Sequence, residues 1–331
     1  MNKVILLIKR PHGTPKLSDF EMCSEEMPTT KDGELLLKTA YVSVDPYLRG
    51  RMNDAKSYIP AFELNKPIQS GVIAEVMESN RADFKKGDFV SGSLDWKEYQ
   101  TSNGKGLHKV SSSAAKLSSY LGILGMTGLT AYLGLTEIGL PKKGETIVVS
   151  GAGGAVGTVV GQIGKLLGCR VVGITGSDEK VALLKSKFKF DHAINYKSNP
   201  DIKEAVKTAC PEGVDIYFDN VGGEISDAVL ANINKYARLP VCGAISLYNK
   251  TDAQLGPRLQ PLILTKSATM RGFIIGDLSE KFPAATKQLT SWLNDGKITF
   301  SETIVEGFDN IPQAFLDLFE GKNKGKMIVK I

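Results

Sequence analysis

The second half of the chain alternates short, continuously apolar runs with segments whose apolar positions recur at helical spacing. The apolar runs lie at residues 146–150, 170–175, 192–196, 214–220, 237–246 and 269–275. The helical segments between them lie at 155–167, 179–187, 202–209, 224–234 and 257–265. Apolar strands that alternate with helices are typical of a parallel sheet covered on both faces. The pattern therefore predicts an α/β fold with a doubly wound, six-stranded parallel sheet.

The first 120 residues follow a different pattern of short strands separated by Gly, Pro, Asn and Asp clusters. Examples of the strands are 34–42, 70–76 and 87–92. This pattern predicts a small antiparallel β domain. After a last amphipathic helix at Phe282–Asn294, residues 326–331 form an apolar strand that we expect to return to the first domain. We therefore predict one domain from 1–122 and 297–331, and a Rossmann-type domain from 123–296.

Length and composition support two globular domains. The chain has 331 residues, of which 42% are hydrophobic and 23% charged, and its net charge of +5 is scattered along the sequence. No basic run suggests a nucleic-acid or membrane surface, and no apolar run approaches the roughly 20 residues that cross a bilayer. Residues 1–10 lack the features of a signal peptide, so we expect a cytoplasmic protein.

The cysteines and histidines argue against a metal centre. The four cysteines (Cys23, Cys169, Cys210, Cys242) and three histidines (His12, His108, His192) are far apart in the sequence. None of them makes a pair at metal-ligand spacing, and a disulfide framework is less plausible still. We predict no metal site and interpret the cysteines as small buried hydrophobic residues.

A glycine-rich turn supplies the first chemical signal. The strand at Thr146–Ser150 runs into Gly151-Ala152-Gly153-Gly154-Ala155-Val156-Gly157, and a helix follows. Small residues at such a turn let the backbone approach a pyrophosphate, and the helix N-terminus favours its negative charge. The alternative is an ordinary βα turn, but the strand before and the helix after the motif favour a nicotinamide dinucleotide.

The end of the second strand indicates which dinucleotide is bound. NAD-binding proteins usually place Asp or Glu there to bind the ribose 2′-hydroxyl, whereas this strand ends in the neutral pair Thr175-Gly176. We interpret Ser177 as a helix N-cap, Asp178 as a first-turn residue and Lys180 as the partner of a 2′-phosphate. In the competing interpretation Asp178 binds the ribose and Lys180 is a surface charge. The first interpretation favours NADPH.

Five stretches carry a resemblance to a known family: residues 44–52, 125–132, 176–180, 217–223 and 242–249. On these, nearly the whole chain resembles the zinc-independent medium-chain dehydrogenase/reductases, and within them the prostaglandin reductase (leukotriene 12-hydroxydehydrogenase) group with its alkenal and curcumin-reductase-like relatives. The resemblance implies a GroES-like β-rich catalytic domain beside the Rossmann domain. Zinc-dependent members carry Gly-His-Glu where this chain has Gln69-Ser70-Gly71, which agrees with a metal-free site.

The resemblance also implies a set of residues that contact NADPH: Gly154, Ala155, Val156, Gly157, Lys180, Tyr196, Asn220, Cys242, Gly243, Ala244, Ile245, Ser246, Tyr248, Phe273, Ile274, Ile275 and Asn323. Several of them end successive predicted strands, where open parallel sheets bind ligands. Asn323 lies outside the Rossmann segment and would reach the cofactor from the other domain. The chain departs from the group at Thr127, where proline is usual, and at Lys324, where an aromatic residue is usual.

Similar enzymes reduce the carbon–carbon double bond of α,β-unsaturated ketones and aldehydes by hydride transfer to the β-carbon. Negative charge then develops on the carbonyl oxygen, and Tyr248 is the candidate donor that stabilises it. Tyr47 and Met126 are candidates to line the substrate site. The alternatives are that Tyr248 only packs in its loop, that Tyr47 only fixes its turn by packing, and that Met126 is a core residue.

Two other functions stay open at this point: a quinone reductase on the same scaffold, and an NADPH-binding protein without catalysis. Relatives often dimerise by pairing the edge strands of their Rossmann sheets, and 269–275 is a candidate edge. An exposed edge in a monomer fits the sequence equally well.

Overall fold

The computed structural model describes residues 1–113 and 115–331 and divides into two compact units. The first unit contains residues 1–122, 302–322 and 327–331, and the second contains 123–301 and 323–326.

The first unit is an antiparallel β structure. Its strands are β1 (Asn2–Leu7), β2 (Phe20–Glu25), β3 (Leu35–Ser43), β4 (Lys66–Pro67), β5 (Gln69–Ser79), β6 (Phe89–Asp95), β7 (Tyr99–Ser102), β8 (His108–Val110), β15 (Glu302–Glu306) and β16 (Lys326–Lys330). β2, β1 and β4 form a small sheet, and a larger sheet has the order β15-β16-β3-β5-β6-β8, with β7 also paired to β3. The first-domain prediction of short antiparallel strands is confirmed.

The return of β16 to the first unit is also confirmed. Ile328 of β16 lies opposite Ser43 of β3 in an antiparallel pair. The core beneath these strands contains the buried residues Phe62, Trp96 and Phe315. Two helices complete the unit: the single turn α1 (Leu48–Arg51), and α9 (Ile311–Phe319), which begins with a proline in its first turn.

The second unit is built on six parallel strands. These are β9 (Thr146–Ser150), β10 (Arg170–Thr175), β11 (His192–Asn195), β12 (Val214–Phe218), β13 (Ile233–Val241) and β14 (Thr269–Gly272). Their order in the sheet is β11-β10-β9-β12-β13-β14, and the strand pairs are parallel. The order reverses beside β9, as in a Rossmann sheet, so the predicted fold class is confirmed.

Helices separate the strands at nearly the predicted places. They are α2 (Met126–Leu133), α3 (Gly157–Leu166), α4 (Asp178–Ser186), α5 (Ile202–Ala209), α6 (Gly223–Leu230), α7 (Gln260–Lys266) and α8 (Phe282–Asn294). The bounds of α5 and α8 agree with the prediction, and β9 is buried along its whole length.

The predicted end of α6 and the predicted start of β13 were wrong. The sequence pattern predicts a helix to residue 234 and a strand from 237 to 246. Instead, α6 ends at Leu230 and β13 begins at Ile233, which lies opposite Val214. The left-handed φ of 66° at Tyr236 and the register shift beside it interrupt the apolar alternation, which hides the start of the strand.

Candidate functional site

The glycine turn after β9 requires residues without side chains. Gly151 has a left-handed φ of 60°. A Cβ added at Gly157 would lie 2.5 Å from the carbonyl oxygen of Gly151 and 2.6 Å from Cα of Ala152, which is too close for any side chain. Because α3 begins directly against this turn, its N-terminus is kept clear of bulky groups. An anionic group such as a pyrophosphate fits this position, where the helix dipole stabilises negative charge.

The loop after β10 presents a cation to the same turn. The side chain of Ser177 accepts a hydrogen bond from the backbone N–H of Lys180 at 3.3 Å, so the predicted N-cap is confirmed. The Lys180 stem passes over Gly153, where an added Cβ would lie 2.9 Å from Cδ of the lysine. Burial, together with the nearby charge of Lys197, lowers the pKa of Lys180.

The neighbouring acid has a different partner. Asp178 opens α4, and its carboxylate accepts a hydrogen bond from Nδ2 of Asn195 at 2.8 Å. Asn195 ends the adjacent strand β11. This contact binds the Asp178 carboxylate to Asn195, while the side chain that passes over the glycine turn is that of Lys180. A cation at this position fits a 2′-phosphate better than a ribose hydroxyl.

A buried carboxylate organises the carboxyl end of the sheet next to the turn. Oδ1 of Asp219 accepts hydrogen bonds at 2.8–2.9 Å from two side-chain hydroxyls and two backbone N–H groups, which belong to Ser150, Tyr217, Val221 and Gly222. The burial and this carboxylate raise the pKa of Tyr217 well above its usual value, so its hydroxyl is a stable donor. Sequence reasoning assigned no role to Asp219, although an acid at the end of an apolar strand was an available signal.

Asn220 connects this network to the turn. Its side-chain amide donates to the carbonyl oxygen of Ser150 at 2.8 Å, and its backbone N–H donates to the Ser150 hydroxyl at 2.9 Å. A Cβ added at Gly151 would lie 3.4 Å from that of Asn220. Asn220 therefore lies beside the glycine turn, at the end of the strand next to β9.

The loop after β13 is anchored to the same residues. The backbone N–H groups of Cys242 and Gly243 both donate to the carbonyl oxygen of Asp219, at 2.8 and 3.1 Å. Burial raises the pKa of the Cys242 thiol to about 12, so it stays protonated at neutral pH. After a single 3₁₀ turn at Ile245–Leu247 comes the half-buried Tyr248, whose hydroxyl oxygen accepts a hydrogen bond from the N–H of Ala244 at 3.3 Å.

The other candidate residues of this unit lie around the same end of the sheet. Phe273 follows β14, and its ring packs edge-on against Phe218 with 6.3 Å between ring centres. Tyr196 lies beside Gly176, where an added Cβ would come within 3.1 Å of its hydroxyl. Ile274 and Ile275 follow Phe273 in the loop after β14.

Residues 323–326 belong to the second unit and reach the glycine turn through the backbone. The N–H of Gly325 donates to the carbonyl oxygen of Gly153 at 2.9 Å, and Gly154 and Gly325 form a parallel bridge. Asn323 is oriented by a bond from its Nδ2 to the carbonyl oxygen of Gly325 at 2.8 Å. Sequence reasoning missed Gly325, because a backbone contact between residues so far apart in the chain leaves no local pattern.

The two candidate substrate residues lie in different units. Tyr47 precedes α1 in the first unit, where burial and the nearby Asp45 raise the pKa of its hydroxyl well above the usual value. Met126 opens α2 in the second unit and is 40% exposed, so it is not a core residue. Thr127, beside it, is buried.

Within the described residues, no group of three or more His, Cys, Asp and Glu side chains could hold a metal ion. None of the helices in the described ranges is long and apolar enough to cross a membrane.

Two family models match the chain: the N-terminal domain of oxidoreductases over residues 3–110, and zinc-binding dehydrogenase over residues 155–291. The putative NADP-dependent oxidoreductase YfmJ of Bacillus subtilis is 55% identical over 99% of this chain and 97% of its own length. The NADP-dependent 2-alkenal reductase of Nicotiana tabacum is 42% identical over 100% of this chain and 97% of its own.

Among solved structures, CurA from Vibrio vulnificus in complex with NADPH superposes with a TM-score of 0.95. It is 42% identical in sequence, and the match covers 99% of this chain and 98% of that one. The chain belongs to the zinc-independent group of the medium-chain dehydrogenase/reductases.

Proposed function

We propose that this protein uses NADPH to reduce the carbon–carbon double bond of α,β-unsaturated ketones and aldehydes, without a metal. The observation that carries the proposal is a continuous set of contacts from the glycine turn to a phenol. Gly151 lies against Asn220, the Asp219 carbonyl anchors the following loop, and that loop ends at Tyr248. A dinucleotide bound at the turn would thus have a hydrogen-bond donor at the same end of the sheet.

The cofactor supplies the hydride when it is bound, and the protein supplies position and polarity. In this proposal the turn residues Gly154–Gly157 hold the pyrophosphate and Lys180 the 2′-phosphate. The remaining contacts come from the residues around the carboxyl end of the sheet: Tyr196, Asn220, 242–246, Tyr248, 273–275 and Asn323. The match to an NADPH complex over nearly the whole chain supports this assignment.

Tyr248 is the proposed catalytic donor. When the β-carbon accepts a hydride, negative charge moves to the carbonyl oxygen, and a hydrogen bond already directed at that oxygen lowers the barrier. A phenol can donate this bond while its own oxygen accepts the N–H of Ala244, and such chains of hydrogen bonds reinforce one another. Tyr47 and Met126 are proposed to contact the substrate.

A screen of NADPH oxidation with 2-alkenals, enones and quinones tests the function, with NADH as the second cofactor. We expect turnover of enals and enones with NADPH, and saturation of the carbon–carbon bond in the isolated product. Turnover of quinones without any turnover of enones would contradict the proposal. The absence of turnover with every acceptor, together with tight NADPH binding, would indicate a binding protein instead.

We also propose that the protein acts in the cytoplasm as a homodimer. All four cysteines, each within the described residues, are free thiols, as expected in a reducing compartment. β14 ends the six-stranded sheet and every residue in it is exposed, including Met270. Pairing of two β14 strands would join the sheets of two copies and cover these edges.

A further inference from the structure

Residues from three separate parts of the chain surround Gly153. The Lys180 stem passes over this glycine from α4, while the N–H of Gly325 donates to its carbonyl oxygen. Lys324 directly precedes Gly325, so the backbone bond brings a second lysine to the same turn. Lys180 and the backbone of Gly325 thus contact Gly153 within one compact unit, to which Lys324 also belongs.

An acidic side chain holds Lys324 next to Lys180. The Nζ of Lys324 forms an ion pair with the carboxylate of Glu179, which directly precedes Lys180 on the first turn of α4. The ion pair is largely exposed, so it contributes little to stability, and Lys324 can exchange this partner for another anion. The contact with Glu179 keeps the Lys324 ammonium near the first turn of α4, which also carries Lys180.

A third lysine, Lys197, adds positive charge near Lys180. Lys197 follows β11, and its backbone N–H is held by Oδ1 of Asn195 at 3.1 Å. Burial is the main cause of the lowered pKa of Lys180; the charge of Lys197 lowers it further, Glu179 raises it, and Lys324 adds a smaller lowering effect. Three lysines against Asp178 and Glu179 leave a formal charge of +1 on this cluster. A phosphate monoester carries a charge of about −1.5 to −2 at neutral pH, so the cluster attracts it.

From this arrangement we infer that Lys324 is a second cation for the 2′-phosphate of the cofactor and helps this chain distinguish NADPH from NADH. Glu179 holds Lys324 in place when no phosphate is bound, and its negative charge weakens phosphate binding. The inference rests on the proposed placement of the 2′-phosphate at Lys180. It assigns a function to a position where similar proteins usually carry an aromatic side chain.

The test measures dissociation constants for NADPH and NADH by the fluorescence of the reduced nicotinamide, and for adenosine 2′,5′-bisphosphate and 5′-AMP by calorimetry. We expect Lys324→Met to weaken NADPH and the bisphosphate by roughly 3- to 10-fold, with NADH and 5′-AMP unchanged. Lys324→Arg keeps the charge and should restore the affinity. Glu179→Gln should tighten NADPH by about 2-fold and leave NADH unchanged.

Lys322→Met is the matched control. Lys322 lies two positions earlier, carries the same charge and pairs with Asp317 and Glu320 of the first unit, so its loss should not change the NADPH-to-NADH ratio. Thermal unfolding of each variant confirms that it folds. Equal weakening of NADPH and NADH by Lys324→Met, or no weakening of either, would overturn the inference.

Lys180→Met distinguishes a failure of the proposed role of Lys324 from a failure of the proposed 2′-phosphate site. If it lowers the preference for NADPH and Lys324→Met does not, the 2′-phosphate site stands and the role of Lys324 is wrong. If Lys180→Met leaves the preference unchanged, the proposed placement of the phosphate itself fails.

Discussion

The hydroxyl oxygen of Tyr248 accepts a hydrogen bond from the backbone N–H of Ala244, four residues earlier in the same loop. The phenol oxygen is therefore held by its own loop. A Cβ added at Gly243 would lie 3.1 Å from the same hydroxyl oxygen, so the glycine leaves the space that the phenol occupies. This orientation is what a preorganised donor requires.

Removing this hydroxyl should therefore affect the reaction more than binding. We expect Tyr248→Phe to lower kcat for enone reduction on the order of 10²-fold, because one oxyanion donor is lost, with little change in the Kd for NADPH. Tyr236→Phe is the control, since Tyr236 is 63% exposed and lies in the same unit. A wild-type rate in Tyr248→Phe would remove Tyr248 from the mechanism.

Gly157→Ala should prevent the turn from closing. The added Cβ would lie 2.5 Å from the Gly151 carbonyl oxygen, so either α3 or the turn must move. We expect NADPH affinity to fall at least 10-fold and the protein to be destabilised by about 1–3 kcal/mol. The measurements are nicotinamide fluorescence and urea unfolding. Gly50→Ala, where nothing lies within 4 Å of the added atom, should leave both quantities nearly unchanged.

Asp219→Ala should unfold part of the site. The substitution leaves the donors of Ser150 and Tyr217 and two backbone N–H groups without the buried oxygen that they share. We expect a loss of about 2–4 kcal/mol in the free energy of unfolding and a lower affinity for NADPH, since Asn220 loses its support. Asp295→Ala removes an acid at a surface ion pair and is the control. Unchanged stability in Asp219→Ala would show that water replaces the carboxylate.

Met270→Lys should separate the proposed dimer. β14 would place two copies of this exposed position near one another, and the added charges would repel across the strand pair. Light scattering after size exclusion should report about half the wild-type mass. Met22→Lys, on an exposed position of β2 in the first unit, should not change it. A wild-type mass for Met270→Lys would place the interface elsewhere or show a monomer.

The ion pair of Glu145 with Arg238 should make stability depend on pH in the acid range. Burial raises the pKa of Glu145, but the bonds and charge of Arg238, together with the backbone N–H and charge of Lys142, more than offset it, so the net shift is downward from 4.5. A lowered pKa in the folded state gives stability that is present above the unfolded value and is lost as the pH falls through the folded value. Glu145→Gln should therefore flatten the decline in unfolding free energy below about pH 5. Glu204→Gln, at an exposed pair, should retain the decline.

The sequence predicted the sheet, the position of the glycine turn and the N-cap at Ser177 well, because the signals there are local. The glycine turn follows a buried strand directly, and the Ser177 N-cap stands three residues before Lys180. These features depend on neighbours along the chain, so the pattern of residue types was sufficient to locate them.

The parts that were missed depend on residues far apart in the sequence. Asp219 acquires its role from four donors, of which Ser150 lies on another strand. Gly325 reaches the turn through its backbone, which carries no sequence signal of its own. The start of β13 was hidden by the irregular backbone at Tyr236. Each case needs the fold before the contact can be seen.

The bond between Gly325 and Gly153 can form only late during synthesis, because Gly325 follows the whole Rossmann sheet in the sequence. During synthesis the strands from β9 to β14 leave the ribosome well before Gly325 does. The nascent Rossmann sheet therefore holds a glycine turn whose carbonyl oxygen has not yet met its partner, and the turn reaches its final form only after that glycine has emerged. The proposed cofactor site at this turn is therefore complete only after all six strands of the sheet have been synthesised.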